Sequence, residues 1–545
     1  MLMDRDLASV QNARDLLARA DRAAASFSKV EQGPVDRIVD AIARSATDHA
    51  EEMARLAVEE IGFGDVESKI QKNLFVSVRL HEAYRNLRTC GVVREDHRRG
   101  LIEIAEPVGV VAGIIPCTNP TSTAIFKILI AVKSRNAIVL SPHPRGARCI
   151  GRTVEILRRG AIEAGAPEDL ILCMSSPTLE GTQELMSNPL TSVVVATGGE
   201  GVVKAAYSSG KPAFGVGPGN PPVFVHQSAN LDHVARCLIA SQTFDYGTIC
   251  SSEQSIVAER SVAEQLRETL AREGCHICNG NETELLKKLV QLPGGGFNTA
   301  IVGQSASTLA RMAGFEVDEG CPILIAPEEG VGEEYPLSRE KLAPILAWYE
   351  VEDWREGCKK CIELIRYGGT GHTLGIYARD PDVIRAFGLE KPVGRIIVNG
   401  PTTQGSVGLS TDLPPSMTLG CGAMGGNITT DNIGPEHLLN LKRVAFPRSG
   451  FFAEVGLPFD EADGAGSLRL TSAREEAAPV EEPEAQVIHT ARGESPSALP
   501  SGTLSGRSEA GSAEARTREL SQRSLFGTRR PPERDFYLHR PNKGL

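Results

Sequence analysis

No stretch of this chain is apolar for long enough to cross a membrane. The most apolar run, PVGVVAGIIP at 107–116, reaches about half of the ~20 residues that a spanning helix needs. The opening MLMDRDLASVQ lacks the apolar centre of a secretory signal. There is no excess of positive charge either. Lys and Arg number 58 against 69 Asp and Glu, a net −11, which argues against a nucleic-acid partner. The 12 cysteines have none of the short, regular spacing of a disulfide framework, so in a reducing compartment they read as free thiols. No internal repeat is found. Together these absences point to a soluble, cytoplasmic protein with no membrane or nucleic-acid partner.

What remains is an ordinary globular composition, 41% hydrophobic and 23% charged over 545 residues, with room for two or three domains. Residues 7 to 90 are helical in pattern. In VDRIVDAIARSATDHAEEMARLAVEEIGFG, Val35, Ile38, Ile42, Met53 and Leu56 fall near helical spacing, and Gly62 and Gly64 supply a stop. From about residue 100 short apolar runs (VGVVAGII, NAIVLS, SVVVAT, PPVFVH, QSIVAE) alternate with helical stretches such as TSTAIFKILIAVKS. Runs so apolar suit strands covered on both faces, and the alternation predicts a parallel α/β architecture. Beyond about 450 the texture changes. Residues 460–512 are rich in Ser, Gly, Pro, Ala and acidic residues and read as a disordered linker. The basic end carries Leu520, Leu525, Phe526, Phe536, Tyr537 and Leu538. It reads either as a docking peptide on a tether or as a solvated tail.

Two cysteine pairs invite a metal reading, Cys275-His-Ile-Cys278 and Cys358-Lys-Lys-Cys361. The second lies in WREGCKKCIELIRYG, a helical pattern, whereas zinc ribbons hold each pair in a tight turn with the pairs close together. Ordinary helix and loop thiols are the better reading, and no metal is expected. A third cysteine stands apart. Cys250, in FDYGTICSSEQ at 244–254, is by its neighbourhood alone a core thiol, a ligand or a nucleophile.

Several ordered stretches decide among these. GVVAGIIPCTNPTSTAIFK (109–127), NAIVLSPHPR (136–145), the segment 193–225 and FDYGTICSSEQ resemble an aldehyde dehydrogenase. More narrowly they resemble the CoA-acylating branch, and most closely the N-terminal half of bifunctional aldehyde–alcohol dehydrogenases. EKLAPILAWYEVED (340–353), GGTGHTLGIY (368–377) and PSMTLGCGAMGGN (415–427) continue the likeness, which covers about residues 10 to 447. The tail stands where the bifunctional enzyme has its iron-dependent alcohol dehydrogenase half. The resemblance implies N-terminal helices and a Rossmann-like dinucleotide-binding domain over 1–239 and a catalytic thiol domain over 240–428. A return and oligomerisation segment over 429–449 and a largely disordered tail over 450–545 complete the expected layout.

The same resemblance implies roles for particular residues. Cys250 would be the nucleophile, adding to an aldehyde to form a thiohemiacetal that loses hydride and becomes a thioester. Its own backbone N–H and an asparagine would hold the oxyanion. Asn119 is the candidate, although an ungapped match puts Thr118 at the asparagine position and a turn residue before Pro120 would look the same. His372 in GTGHT is a candidate proton shuttle or a structural loop histidine. Gly198, Gly199 and Gly201, at a strand-to-helix turn, would face a pyrophosphate, with Gly217 also beside the cofactor. Glu340 would hold the nicotinamide ribose. Ser141 stands where hydrolytic members place a lysine near the adenine ribose, so NAD is favoured and NADP stays open. Lys127 matches a family position, or is a solvated helix lysine.

One difference bears on the reaction. Hydrolytic aldehyde dehydrogenases carry a glutamate that activates water against the thioester, and here Gly215 stands in its place. Glycine has no side-chain proton acceptor, so coenzyme A would discharge the enzyme and the reaction would run in both directions. The expected activity is therefore NAD(P)-dependent conversion of a short-chain aldehyde and CoA to acyl-CoA by a homo-oligomer. The alternatives are a hydrolytic enzyme, an acylating enzyme for a substituted aldehyde such as sulfoacetaldehyde, and a noncatalytic scaffold. The tail would dock to a partner or to the shell of a bacterial microcompartment.

Overall fold

The computed structural model describes residues 4–447, so the expected linker, the basic end and the last two residues of the return segment lie outside the described residues. The N-terminal pattern folds as helices Arg5–Phe27, Gln32–Asp48, Ala50–Ile61 and Val66–Leu74. Val35, Ile38, Ile42 and Met53 are buried as their spacing predicts, and Leu56 is partly buried. Gly62 ends its helix with φ +76°, a left-handed cap that suits glycine. The helical reading to residue 90 stops short of a hairpin that follows it, β1 (Gly91–Asp96) and β2 (Leu101–Pro107).

The next five strands are β3 (Val110–Ile115), β4 (Ala137–Pro142), β5 (Ile171–Cys173), β6 (Val193–Thr197) and β7 (Ala213–Val216). They form one parallel sheet in the order β5-β4-β3-β6-β7. The order reverses between β3 and β6, and such a switch point opens a crevice at the carboxyl ends of the strands. Helix Pro120–Lys133, which follows β3, is buried along its whole length. Lys127 is inside it rather than solvated. Its ammonium donates to the carbonyls of Ile114 on β3 (2.6 Å) and Val195 on β6 (2.8 Å), below the switch point, and burial pushes its pKa well down.

The remaining parallel strands are β8 (Pro222–Val225), β9 (Ser255–Glu259), β10 (His276–Ile277), β11 (Leu324–Pro327), β12 (Ile345–Val351), β13 (Gly371–Tyr377) and β14 (Val393–Val398). Their order is β10-β11-β12-β9-β8-β13-β14. The chain thus leaves the first sheet between Val216 and Pro222, not at the expected 239/240 boundary, which falls inside helix Leu231–Gln242. PPVFVH is the physical reason. Its strand is paired in parallel with both β9 and β13 and lies at the centre of the second sheet. Last, β15 (Leu439–Ala445) returns to pair antiparallel with β2, making the three-stranded sheet β1-β2-β15.

Cys358 and Cys361 lie on helix Trp354–Gly368 and are buried, as are Cys275 and Cys278. Cys278 does come together with His276 and Glu282, three potential ligand atoms within 4.8 Å of one another. Glu282 is already engaged there, accepting from the Asn279 N–H and contacting His276. No helix among the described residues is long and apolar enough to cross a membrane.

Candidate active site

Four of the central strands in the second sheet begin at one edge, and each is preceded or opened by a residue of interest. Gly219 precedes β8, Cys250 precedes β9, Glu340 precedes β12, and His372 is the second residue of β13. Since β12, β9, β8 and β13 are consecutive neighbours, these residues converge from loops far apart in sequence. The first sheet contributes from its carboxyl edge, where the Pro116–Asn119 turn follows β3 and Gly198–Gly199 follows β6. Asn119 crosses the gap, its Nδ2 donating to the carbonyl of Thr248 at 2.9 Å, two residues before Cys250.

Cys250 is partly buried. Burial above all pushes its thiol up to about 12, with Glu340 adding to the shift once ionised, while Arg395 pulls the other way. A thiol so placed is mostly protonated near neutrality, and the thiolate is the reactive form. Alkylation of Cys250 by iodoacetamide, followed by peptide mapping, is therefore expected to accelerate roughly tenfold per pH unit between about pH 7 and 9. A pH-independent rate across that window would mean that the thiolate is already formed in the free protein.

Glu340 accepts the N–H of Gly219 at 2.9 Å. Burial raises its pKa to about 8 against that hydrogen bond, leaving it largely protonated at neutral pH. Lys341 anchors the segment. It is fully buried, and its backbone N–H donates to Gln254 Oε1 (2.9 Å) and its ammonium to Gln254 O (3.0 Å). Gln254 closes the Cys250 stretch, so one lysine fixes the spacing between Cys250 and Glu340.

Gly219 is the tightest point. A Cβ there would stand 2.0 Å from the carbonyl oxygen of Cys250 and 3.1 Å from Cγ of His372. Neither neighbour is the free end of a flexible side chain. Gly219→Ala is expected to cut turnover by about 10²-fold, because a shift of about 1 Å in a reacting group is enough for that. Steady-state kinetics on the folded variant check it, and near-normal turnover would show that the loop relaxes freely.

His372 is fully buried and its Nδ1 contacts Thr373 Oγ1 at 3.0 Å. Its Nε2 has no hydrogen-bond partner among the described residues. Burial, aided by Arg395, drives its pKa down to about 3. The ring is therefore neutral near pH 7 and a poor proton acceptor in this state, with one nitrogen free for an incoming group. Arg395 itself is buried, and donates to three carbonyls, of His372 (3.1 Å), Gly420 (2.5 Å) and Thr430 (2.9 Å).

Of the cofactor candidates, Gly198, Gly199 and Gly201 follow β6 at the switch point, and Gly217 follows β7. Gly199 opens helix Glu200–Tyr207, and hypothetical side chains at Gly199, Gly201 and Gly217 would meet nothing within 4 Å. Open space above a helix N-terminus leaves the backbone accessible to a phosphate. Gly198 is closer to its own helix, 3.4 Å from Val202. Ser141 is the last but one residue of β4 and is buried, its Oγ bonded to Thr182 Oγ1 at 2.7 Å. Gly215, on β7, is more than an absence. Its Cβ would lie 2.9 Å from both Tyr207 and Val203, and the Tyr207 hydroxyl accepts the Gly215 N–H at 2.9 Å. The room for a side chain is already taken.

Several contributors escape any reading of one sequence. Lys69, Lys72 and Asp245 form a buried ion cluster under the loop, with Lys69 Nζ 2.9 Å and Lys72 Nζ 2.5 Å from Asp245 Oδ2. Asp245 and Tyr246 hold left-handed backbone, φ +53° and +49°, a conformation that costs of order 1–3 kcal/mol per non-glycine residue. Their position in FDYGTICSSEQ was a signal, but their conformation and partners were not.

Comparison with known proteins gives the family of the chain. The model for the "Aldehyde dehydrogenase family" matches residues 2–285. The bifunctional aldehyde-alcohol dehydrogenase AdhE of Escherichia coli K12 is 43% identical over 458 residues, covering 81% of this chain and 51% of that protein. The chain thus spans about half the length of that curated relative. The crystal structure of an acetylating aldehyde dehydrogenase from Geobacillus thermoglucosidasius is 48% identical with a TM-score of 0.81, covering 82% of this chain and 99% of that one. A propionaldehyde dehydrogenase from Rhodopseudomonas palustris, solved with bound CoA and an acylated cysteine, is 27% identical with a TM-score of 0.72, over 80% and 97% of the two chains.

Proposed function

The chain belongs to the aldehyde dehydrogenase family, and from that premise we propose that it is a CoA-acylating member converting a short-chain aldehyde to acyl-CoA. Gly215 carries the choice over hydrolysis. It offers no base, and Tyr207 and Val203 occupy the space where one would project. Cys250, once deprotonated, attacks the aldehyde carbon. The developing oxyanion accepts from the Cys250 N–H and from Nδ2 of Asn119, two donors preorganised for it. The thiohemiacetal carbon then loses hydride, for which a bound nicotinamide would supply the acceptor. Glu340 and the turn at Gly198, Gly199 and Gly201, with Gly217, would hold that cofactor, whereas Ser141, buried and bonded to Thr182, has no free hydroxyl to offer a ribose. The CoA thiol gives its proton to solvent, its thiolate adds to the acyl carbon of the thioester and the Cys250 thiolate leaves, and exchange between thioesters makes the step reversible. The relative with bound CoA and an acylated cysteine supports this order.

The deciding experiment is NADH formation from acetaldehyde with and without CoA. Strict dependence on CoA is expected, and NADH made without it would return the hydrolytic reading. Running the assay with NADP in place of NAD tests the cofactor, for which NAD is favoured. Acetaldehyde is the first substrate to try, then propionaldehyde and sulfoacetaldehyde. A homo-oligomer is expected, supported by Leu441 and Val444 left exposed on β15. Placement of the protein in the cytoplasm or inside a microcompartment shell is tested by deleting 450–545. Unchanged localisation would remove the tail from that role.

A further inference from the structure

Asn119 ends in an amide whose oxygen and nitrogen are alike in shape, so its orientation is set by what each atom meets. Lys72 meets one of them. Its Nζ stands 2.7 Å from Asn119 Oδ1, and an ammonium only donates, so the oxygen has to face it. Nδ2 is thereby turned toward the Cys250 loop, where one hydrogen goes to Thr248 O at 2.9 Å. The other has only Thr118 Oγ1 at 3.4 Å, a long contact that an incoming oxygen can replace.

Lys72 is itself held in place. It is buried, 2.5 Å from Asp245 Oδ2 and 3.4 Å from Thr248 Oγ1, with the Phe244 ring centroid 5.4 Å away. Burial brings its pKa down to about 8, against the pull of Asp245. Lys69 shares the same carboxylate oxygen and reaches the carbonyl of Thr118 at 3.3 Å. Two ammonium groups therefore meet at one carboxylate oxygen, with Asp65 acting on Lys72 from further off, and the Lys72 ammonium lies against the turn that carries Asn119. A cation on the amide oxygen draws density from the nitrogen and strengthens its N–H as a donor.

We propose that Lys72 is a positioning residue for the reaction, fixing the flip of the Asn119 amide and polarising its Nδ2–H toward the oxyanion formed at Cys250. This rests on the reading of Asn119 as an oxyanion donor. The test is a double-mutant cycle in the full chain, with Lys72→Met, Asn119→Ala and the pair, read as kcat and KM for CoA-dependent NADH formation. Lys72→Met is expected to lower kcat about tenfold with KM for CoA within about twofold and the alkylation rate of Cys250 unchanged. In the Asn119→Ala background the same change should cost less than about twofold, because its target is gone. Losses that multiply in the pair would overturn the role of Lys72 while leaving Asn119 in place. Full activity of Asn119→Ala would overturn the oxyanion reading instead. Should the methionine variant fail to fold, Lys72→Gln keeps an N–H donor without the charge. Reduced kcat at unchanged KM supports the proposal, and parental kcat overturns it.

Discussion

Cys250→Ala is expected to abolish CoA-dependent NADH formation, by about 10³-fold or more, while leaving the fold in place. Losing a nucleophile removes the covalent route itself rather than one stabilising contact. The side chain is small and partly buried, and among the described residues its sulfur makes no hydrogen bond on which the loop depends. What holds the loop lies around it. Ser252 Oγ donates to Gly247 O at 2.8 Å, Thr402 Oγ1 donates to Ser251 O at 2.6 Å, and the Thr402 N–H donates to Glu253 Oε1 at 2.9 Å. Activity should therefore fall while the thermal midpoint barely moves. The assay is NADH production with saturating aldehyde and CoA, paired with a melting curve. Residual turnover above about a tenth of the parent would hand the nucleophile role to another thiol, and the buried Cys421 would be the next to replace.

Asp245→Ala is expected to have the largest effect on stability. The carboxylate is fully buried and is the sole acidic partner recorded for Lys69 and Lys72 among the described residues. Burial opposes its charge, yet the two lysines prevail and hold it below the usual carboxylate range. It also accepts the Asp65 N–H at 3.0 Å and the Thr248 hydroxyl at 2.6 Å. Removing it strands two buried ammonium groups, and breaking such a pair from one side costs about 3–5 kcal/mol. A drop of several degrees in melting temperature is expected, together with loss of activity as the loop before Cys250 loosens. Asp245→Asn should fall between, since it keeps an acceptor but not the charge. A variant melting within about a degree of the parent would show that water or a local rearrangement satisfies both lysines.

The elements themselves were largely legible. VGVVAGII, NAIVLS, SVVVAT, PPVFVH and QSIVAE all became strands of parallel sheets, because a run apolar on both faces has to be covered on both. WREGCKKCIELIRYG became a helix, carrying both cysteines into the core. Sheet membership was less legible. PPVFVH looks the same whichever sheet it joins, and only its pairing with β9 and β13 moved the domain crossing back to the glycine-rich 217–221 segment. The β1-β2 hairpin is not legible in the sequence because its residues are mostly of intermediate burial, with no alternation of buried and exposed positions.

Motif chemistry was enough to single out Cys250, Asn119, Glu340, His372 and the missing base at Gly215, since each sits in an ordered stretch that resembles one family. Sequence by itself thus determined the α/β class, most strands and helices, and which thiol to suspect. Tertiary structure decided the rest. It brought the amino ends of β8, β9, β12 and β13 opposite the carboxyl end of β3 and filled the space at Gly215 with Tyr207. It also left Nε2 of His372 unpaired and set Lys72 against Asn119 across 47 positions of chain. Local patterns report only which face of an element is buried. The charges, distances and orientations that make a site arise between elements, where sequence separation carries no information.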